Sequence, residues 1–237
     1  MFTMKRIIAL MLALIMVLSF AACSDDEEAH DHDHDHDHDH TEGPSVSEGE
    51  EQPEEEPEKD VLAKRGTVAD NIYSNDAFGL GFEADTDWLY YSDEEIAATM
   101  GIAAEKMLSP EAADLIQEAT IIYDMYCVNL TTGSSVNINH ENIGALYGSI
   151  IDDEYYLEIS KTQLEAQASG LDLTRNEVGT AVVAGEEVPC LYVEINFSGM
   201  TVYETILAKK SGNWISVITV SGMSEEDVLD TLTRVSL

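Results

Sequence analysis

Four stretches in the last third of the chain follow one another with little between them: Glu177 to Val183, Val188 to Phe197, Thr201 to Ala208 and Trp214 to Val220. The links Ala184-Gly185-Glu186-Glu187, Ser198-Gly199-Met200 and Lys209-Lys210-Ser211-Gly212-Asn213 are short, and each carries a glycine. Links of that length join antiparallel neighbours, because a parallel return needs a dozen residues or more. In the second stretch Leu191, Val193, Ile195 and Phe197 share one face while Glu194 and Asn196 take the other, which sets one face on a core. This half of the chain therefore has to form an antiparallel sheet.

The residues ahead of it read as shorter strands and helices. Asn71 to Ser74, Leu80 to Ala84 and Trp88 to Tyr91 are strand-like, with Asn75-Asp76 and Asp85 to Asp87 as turns. Ser92-Asp93-Glu94-Glu95 is a capping box opening a helix to about Met107, and Ser109-Pro110-Glu111 opens a second. Ile121 to Leu130 is a strong strand with Val136 to Asn139 as its hairpin partner. Asp152 to about Ser169 is a helix ending at Gly170, and Ser224-Glu225-Glu226-Asp227 caps a last one with Val228, Leu229, Leu232 and Val235 on one side. Strand runs interrupted by helices predict an α+β fold for residues 61–237, one antiparallel sheet flanked by α-helices.

Tyr73-Ser74-Asn75-Asp76-Ala77-Phe78-Gly79-Leu80-Gly81-Phe82, with Trp88 following, resembles the opening of PsbP-like domains. Many lipoproteins of Gram-positive type are similar in this opening and in the hairpin-rich C-terminal half. The resemblance implies a PsbP-like sandwich over residues 62–237 and carries over no catalytic residue.

Residues 1–22 read as an export signal. Lys5 and Arg6 precede an apolar run from Ile7 to Ala22, too short for a comfortable membrane span. The run stops at Phe20-Ala21-Ala22-Cys23, which resembles the lipobox of bacterial lipoproteins, with phenylalanine where leucine is usual. The resemblance implies diacylglyceryl transfer to the Cys23 sulfur, cleavage before it, and an extracytoplasmic protein held at the lipid membrane. Two acyl chains anchor stably where one is marginal.

Residues 23–60 read as a tether. Positions 24–60 hold eighteen acids, three prolines and almost no large apolar side chain, too little to offset the entropy of ordering. A flexible coil of that length spans roughly 35 Å, and like-charge repulsion extends it. Inside it His30, His32, His34, His36, His38 and His40 alternate with Asp31, Asp33, Asp35, Asp37 and Asp39. Imidazole and carboxylate are ligands for zinc, nickel and copper. In an extended chain alternate residues lie roughly 7 Å apart on one side, so two imidazoles reach one ion and a four-ligand shell requires the tract to curl. The expectation is several ions held with modest affinity, weakening as pH falls through the histidine range near 6.5.

Charge narrows the partners. The chain carries a formal net charge of −36, and from Val61 onward 29 acids against 8 bases leave about −21. Such a field repels nucleic acid and anionic head groups, leaving cations, basic peptides and neutral ligands. No H-E-x-x-H, G-x-S-x-G, P-loop or C-x-x-C occurs, so no catalytic residue is assigned, no enzyme is expected and no cofactor is required.

His140 stands alone in the domain, before Glu141 at the end of a predicted strand, where a hydrogen-bonded edge role is expected. Asp152-Asp153-Glu154 and Glu225-Glu226-Asp227 sit at helix starts, where acids complement the dipole. Trp88, Tyr90, Tyr91, Tyr155 and Tyr156 read as core or as the lining of a cleft. Cys127 and Cys190 can bridge only if their strands are neighbours. Two function classes stand foremost: a non-enzymatic anchored lipoprotein whose tract binds divalent transition metals, and an envelope protein–protein docking module whose tether is only a spacer.

Overall fold

The computed structural model describes residues 64–99, 121–167, 172–197 and 199–237. The leader, Cys23, the His/Asp tract and the helix expected from Ser109 lie outside them. In chain order the described strands are β1 (Thr67–Ala69), β2 (Ile72–Asn75), β3 (Leu80–Glu83), β4 (Trp88–Tyr90), β5 (Ile121–Asn129), β6 (Ser135–Asn142), β7 (Asp172–Val183), β8 (Glu186–Phe197), β9 (Met200–Ser211), β10 (Trp214–Gly222) and β11 (Val235–Ser236). The helices are α1 (Asp93–Thr99), α2 (Gly144–Gly148), α3 (Asp153–Gln167) and α4 (Glu225–Leu232).

The strands form two antiparallel sheets, one of four strands in the order β1-β2-β3-β11 and one of seven in the order β4-β5-β6-β10-β9-β8-β7. The glycine-bearing links make the hairpins expected of them: β7 pairs β8, β8 pairs β9 and β9 pairs β10. At the first, Ala184 (φ 51°) and Gly185 (φ 86°) both occupy the left-handed region, the conformation a two-residue turn needs to match strand twist. The capping box at Ser92 closes as expected, with Glu95 N–H donating to Ser92 Oγ and Ser92 N–H donating to Glu95 Oε2.

The expected α+β sandwich, a single sheet with helices on it in the PsbP-like manner, is corrected here. Among the described residues antiparallel sheet predominates, the helices are short, and a second sheet covers one face of the first. The opening strands pair with one another and with β11, where Val235 stands opposite Phe82. Strands of two to four residues carry too little periodicity to declare such a sheet.

The large sheet therefore buries both faces. On the front, Met125, Cys127, Val136, Ile138, Leu207, Ile218 and Val220 meet Tyr73, Leu80 and Phe82 of the small sheet and Val228 and Leu232 of α4. On the back, Leu191, Val193, Ile195, Ile206, Ile215 and Val217 pack against Leu157 and Leu164 of α3. A third cluster, Ile96 of α1 with Ile121, Tyr123, Tyr126 and Val128 of β5, lies at the other end of the back face. Cys127 on β5 and Cys190 on β8 are buried and free. With β6, β10 and β9 between them they stand four strand spacings apart, about 19 Å, far beyond disulfide reach.

Candidate functional site

His140 is the place to look for chemistry, and it does not lie at an edge. Strand β6 runs between β5 and β10, and the ring is fully buried on the front face. Opposite it in the register stand Ile122 on β5 and Ser216 on β10. Ser216 Oγ lies 2.8 Å from His140 Nδ1, and Asp124 Oδ2 lies 2.9 Å from Nε2. A carboxylate can only accept, so Nε2 carries a proton toward Asp124, and the Ser216 hydroxyl, able to donate or accept, partners Nδ1. Phe78 stacks on the ring with centroids 4.1 Å apart and planes 13° from parallel.

Asp124 is the hub. A bulge in the β5–β6 register between Tyr123 and Met125 leaves it out of the ladder, and its side chain is fully buried. It accepts from the Tyr73 hydroxyl at 2.6 Å, from Asn75 Nδ2 at 2.9 Å and from the Gly66 backbone N–H at 2.9 Å, besides His140. Asn75 Nδ2 lies 3.2 Å from His140 Nε2, a close approach of two donors converging on one carboxylate. Arg65 sits 3.6 Å from the far carboxylate oxygen and is forked onto Asp93 at 2.7 and 3.0 Å. Burial by itself would raise the Asp124 pKa, but the hydrogen bonds from His140 and Tyr73 and the charge of His140 hold it below the usual carboxylate range. The same neighbourhood, burial first, pushes the Tyr73 phenol far up. A side chain at position 66 would collide with the Tyr73 ring, so glycine is needed for this approach.

Hydroxyl to imidazole to carboxylate is the connectivity of a nucleophilic relay. Here the hydroxyl and the imidazole are both enclosed. Ser216 and His140 have no exposed surface, and Ser216 sits mid-strand under the second sheet. Tyr73 and Asn75 come from the small sheet and Asp124, His140 and Ser216 from the large one, so the network fastens the two layers together.

The remaining sequence candidates are absorbed structurally. Asp152 Oδ1 accepts from Tyr155 N–H at the start of α3, and Asp153 accepts from Lys210 N–H at 2.8 Å. Asp227 accepts from the Ser224 hydroxyl, and Glu225 pairs with Arg175. Trp88 meets Phe82 edge-on, Tyr91 meets Tyr126 likewise, Tyr90 donates to Asn71 and Phe82 carbonyls, and Tyr156 donates to Glu141. Tyr155 alone of the five is largely exposed. Among the described residues no three His, Cys, Asp or Glu side chains gather as a metal site. Cys23 and His30 to His40 with their aspartates lie outside those residues. Asp124 had a legible signal, being the one charged residue in the otherwise apolar Ile121–Val128. Ser216 had none.

No family model matches the chain, and no curated protein matches it. Among solved structures the chain is similar to LpqN of Mycobacterium tuberculosis, described as involved in cell envelope biogenesis. That match is 11% identical, covers 67% of this chain and 82% of that one, and has a TM-score of 0.36. It is also similar to a Bacteroides thetaiotaomicron protein at 10% identity and a TM-score of 0.36, covering 73% of this chain and 48% of the other.

Proposed function

We propose that this chain is a non-enzymatic extracytoplasmic lipoprotein, anchored to the membrane through Cys23, whose His/Asp tract gathers divalent transition-metal ions. The observation that carries it is the alternation of six histidines with five aspartates from His30 to His40, shortly after a cysteine in a lipobox-like setting. The tether keeps imidazole and carboxylate ligands close to the anchor, and the acidic chain raises the local concentration of cations. In the non-enzymatic reading, the buried Asp124–His140–Ser216 network is framework.

Calorimetric titration of zinc or nickel into the chain, with and without residues 30–40, tests the metal reading. The expected result is several ions of modest affinity, lost entirely on deletion and weakened as pH drops below about 6.5. Tight binding that survives the deletion would place the metal elsewhere and overturn it. Anchoring has its own test in mass spectrometry of the native protein. A diacylglyceryl mass on an N-terminal Cys23 is expected, and an intact leader or a bare thiol would sink the placement.

A further inference from the structure

Strand β7 ends the large sheet, and among the described residues β8 is its one partner. It is twelve residues long, with Thr180 exposed and Val182 61% exposed. The two-residue turn at Ala184-Gly185 makes Val183 and Glu186 a hydrogen-bonded pair, so the odd positions from 179 to 183 aim their backbone groups at β8. Val178, Thr180 and Val182 therefore aim theirs outward. A long edge with outward N–H and C=O groups is a template for another strand.

The first half of β7 is a poor template. A bulge between Leu173 and Arg175 breaks its register, and Arg175 and Glu177 put charge on it. From Val178 to Val183 there is no bulge, no charge and no proline, and every residue is β-branched or small. Segments of that makeup pair readily with copies of themselves. Two copies meeting antiparallel about Thr180 would set Val178 against Val182 of the second copy on one face, and Gly179 against Ala181 on the other. The central bonds would run from the Thr180 N–H of each copy to the Thr180 carbonyl of the other.

That carbonyl is already taken. Tyr192 of β8 lays its ring across Gly179, where even a Cβ would stand 3.0 Å from Cε2, and its hydroxyl donates to the Thr180 carbonyl at 2.7 Å. The Arg175 guanidinium covers the ring 4.3 Å from its centroid. Glu177 holds that guanidinium at 2.6 Å and Glu225 of α4 holds it at 3.2 Å. The tip of the ring thus stands where an incoming strand would lie. We propose that Tyr192 is a guard, a strap across the edge that stops Val178–Val183 from pairing with a second copy of this chain.

Sedimentation equilibrium of the full chain and of Tyr192→Val tests this in about 1 M sodium chloride, where a screening length of about 3 Å removes the repulsion between acidic copies. The variant is expected to self-associate at least roughly tenfold more tightly than the parent. Hydrogen exchange at the Val178, Thr180 and Val182 amides should slow as its concentration rises, and adding Val182→Lys, a charge on the edge, should reverse both effects. The same amides should exchange in the parent at a rate independent of concentration. Should Tyr192→Val fail to fold, Tyr192→Phe decides, since it keeps the ring and the Arg175 contact and frees the Thr180 carbonyl alone. Association no tighter than the parent's, or association that leaves those three amides unprotected, would overturn the proposal.

Discussion

Asp124→Asn is expected to lower the stability of the fold by about 3–5 kcal/mol, the range for removing one partner from a buried charged network. The amide is nearly the same size, so packing barely changes and the loss reports hydrogen bonding. Asp124 Oδ2 gathers donors from Tyr73, Asn75, His140 and Gly66. The other oxygen faces Gly66 N–H and the Arg65 guanidinium. Whichever way the amide turns, its NH2 group points a donor at donors, and each buried donor left unmade costs about 1–3 kcal/mol. Urea denaturation at pH 7 measures it, and a difference below about 1 kcal/mol would show that the network fastens nothing.

The pH dependence has a definite sign. The folded carboxyl titrates below its ordinary value, so its contribution is fully present above about pH 4 and fades as pH falls through the folded pKa. The gap between the parent and Asp124→Asn should therefore narrow in acid.

Glu204→Gln should do the reverse and stabilise. Burial lifts the Glu204 carboxyl to about 7, with the Ser221 hydroxyl opposing only in part. A raised folded pKa means the native state holds the proton longer than the unfolded chain, whose value lies near 4.5. Native stability then declines as pH climbs from about 4.5 to 7 and levels off above that. The neutral amide escapes this decline and can still accept from Ser221. The expected gain is about 3 kcal/mol at pH 8 and none at pH 4, because each tenfold difference in proton affinity between the folded and unfolded chain is worth about 1.36 kcal/mol. Equal denaturation midpoints at pH 8 would refute it.

What could be read from the residues differs sharply along the chain. The C-terminal hairpins were legible because each link is short and carries glycine, so local chemistry settles which strands are neighbours. The second sheet was not, since β11 is two residues long and pairs with a strand about 150 positions earlier. No local pattern records that. Strand β6 misled in another way: the sequence Val136-Asn137-Ile138-Asn139-His140-Glu141 looks like a sheet with one wet face, yet both faces are buried. His140 was visible as a lone histidine, but its placement on an interior strand and its partners Asp124 and Ser216 follow from register across three strands.

The separation of the two thiols bears on how the molecule must be handled and made. Once the large sheet has formed, β6, β10 and β9 stand as a partition between Cys127 and Cys190, and oxidant finds nothing to join. Before that, in an unfolded polypeptide, the same pair can meet freely. A bridge closed then would forbid the strand order of the finished sheet, so premature oxidation is a dead end from which only reduction returns the chain.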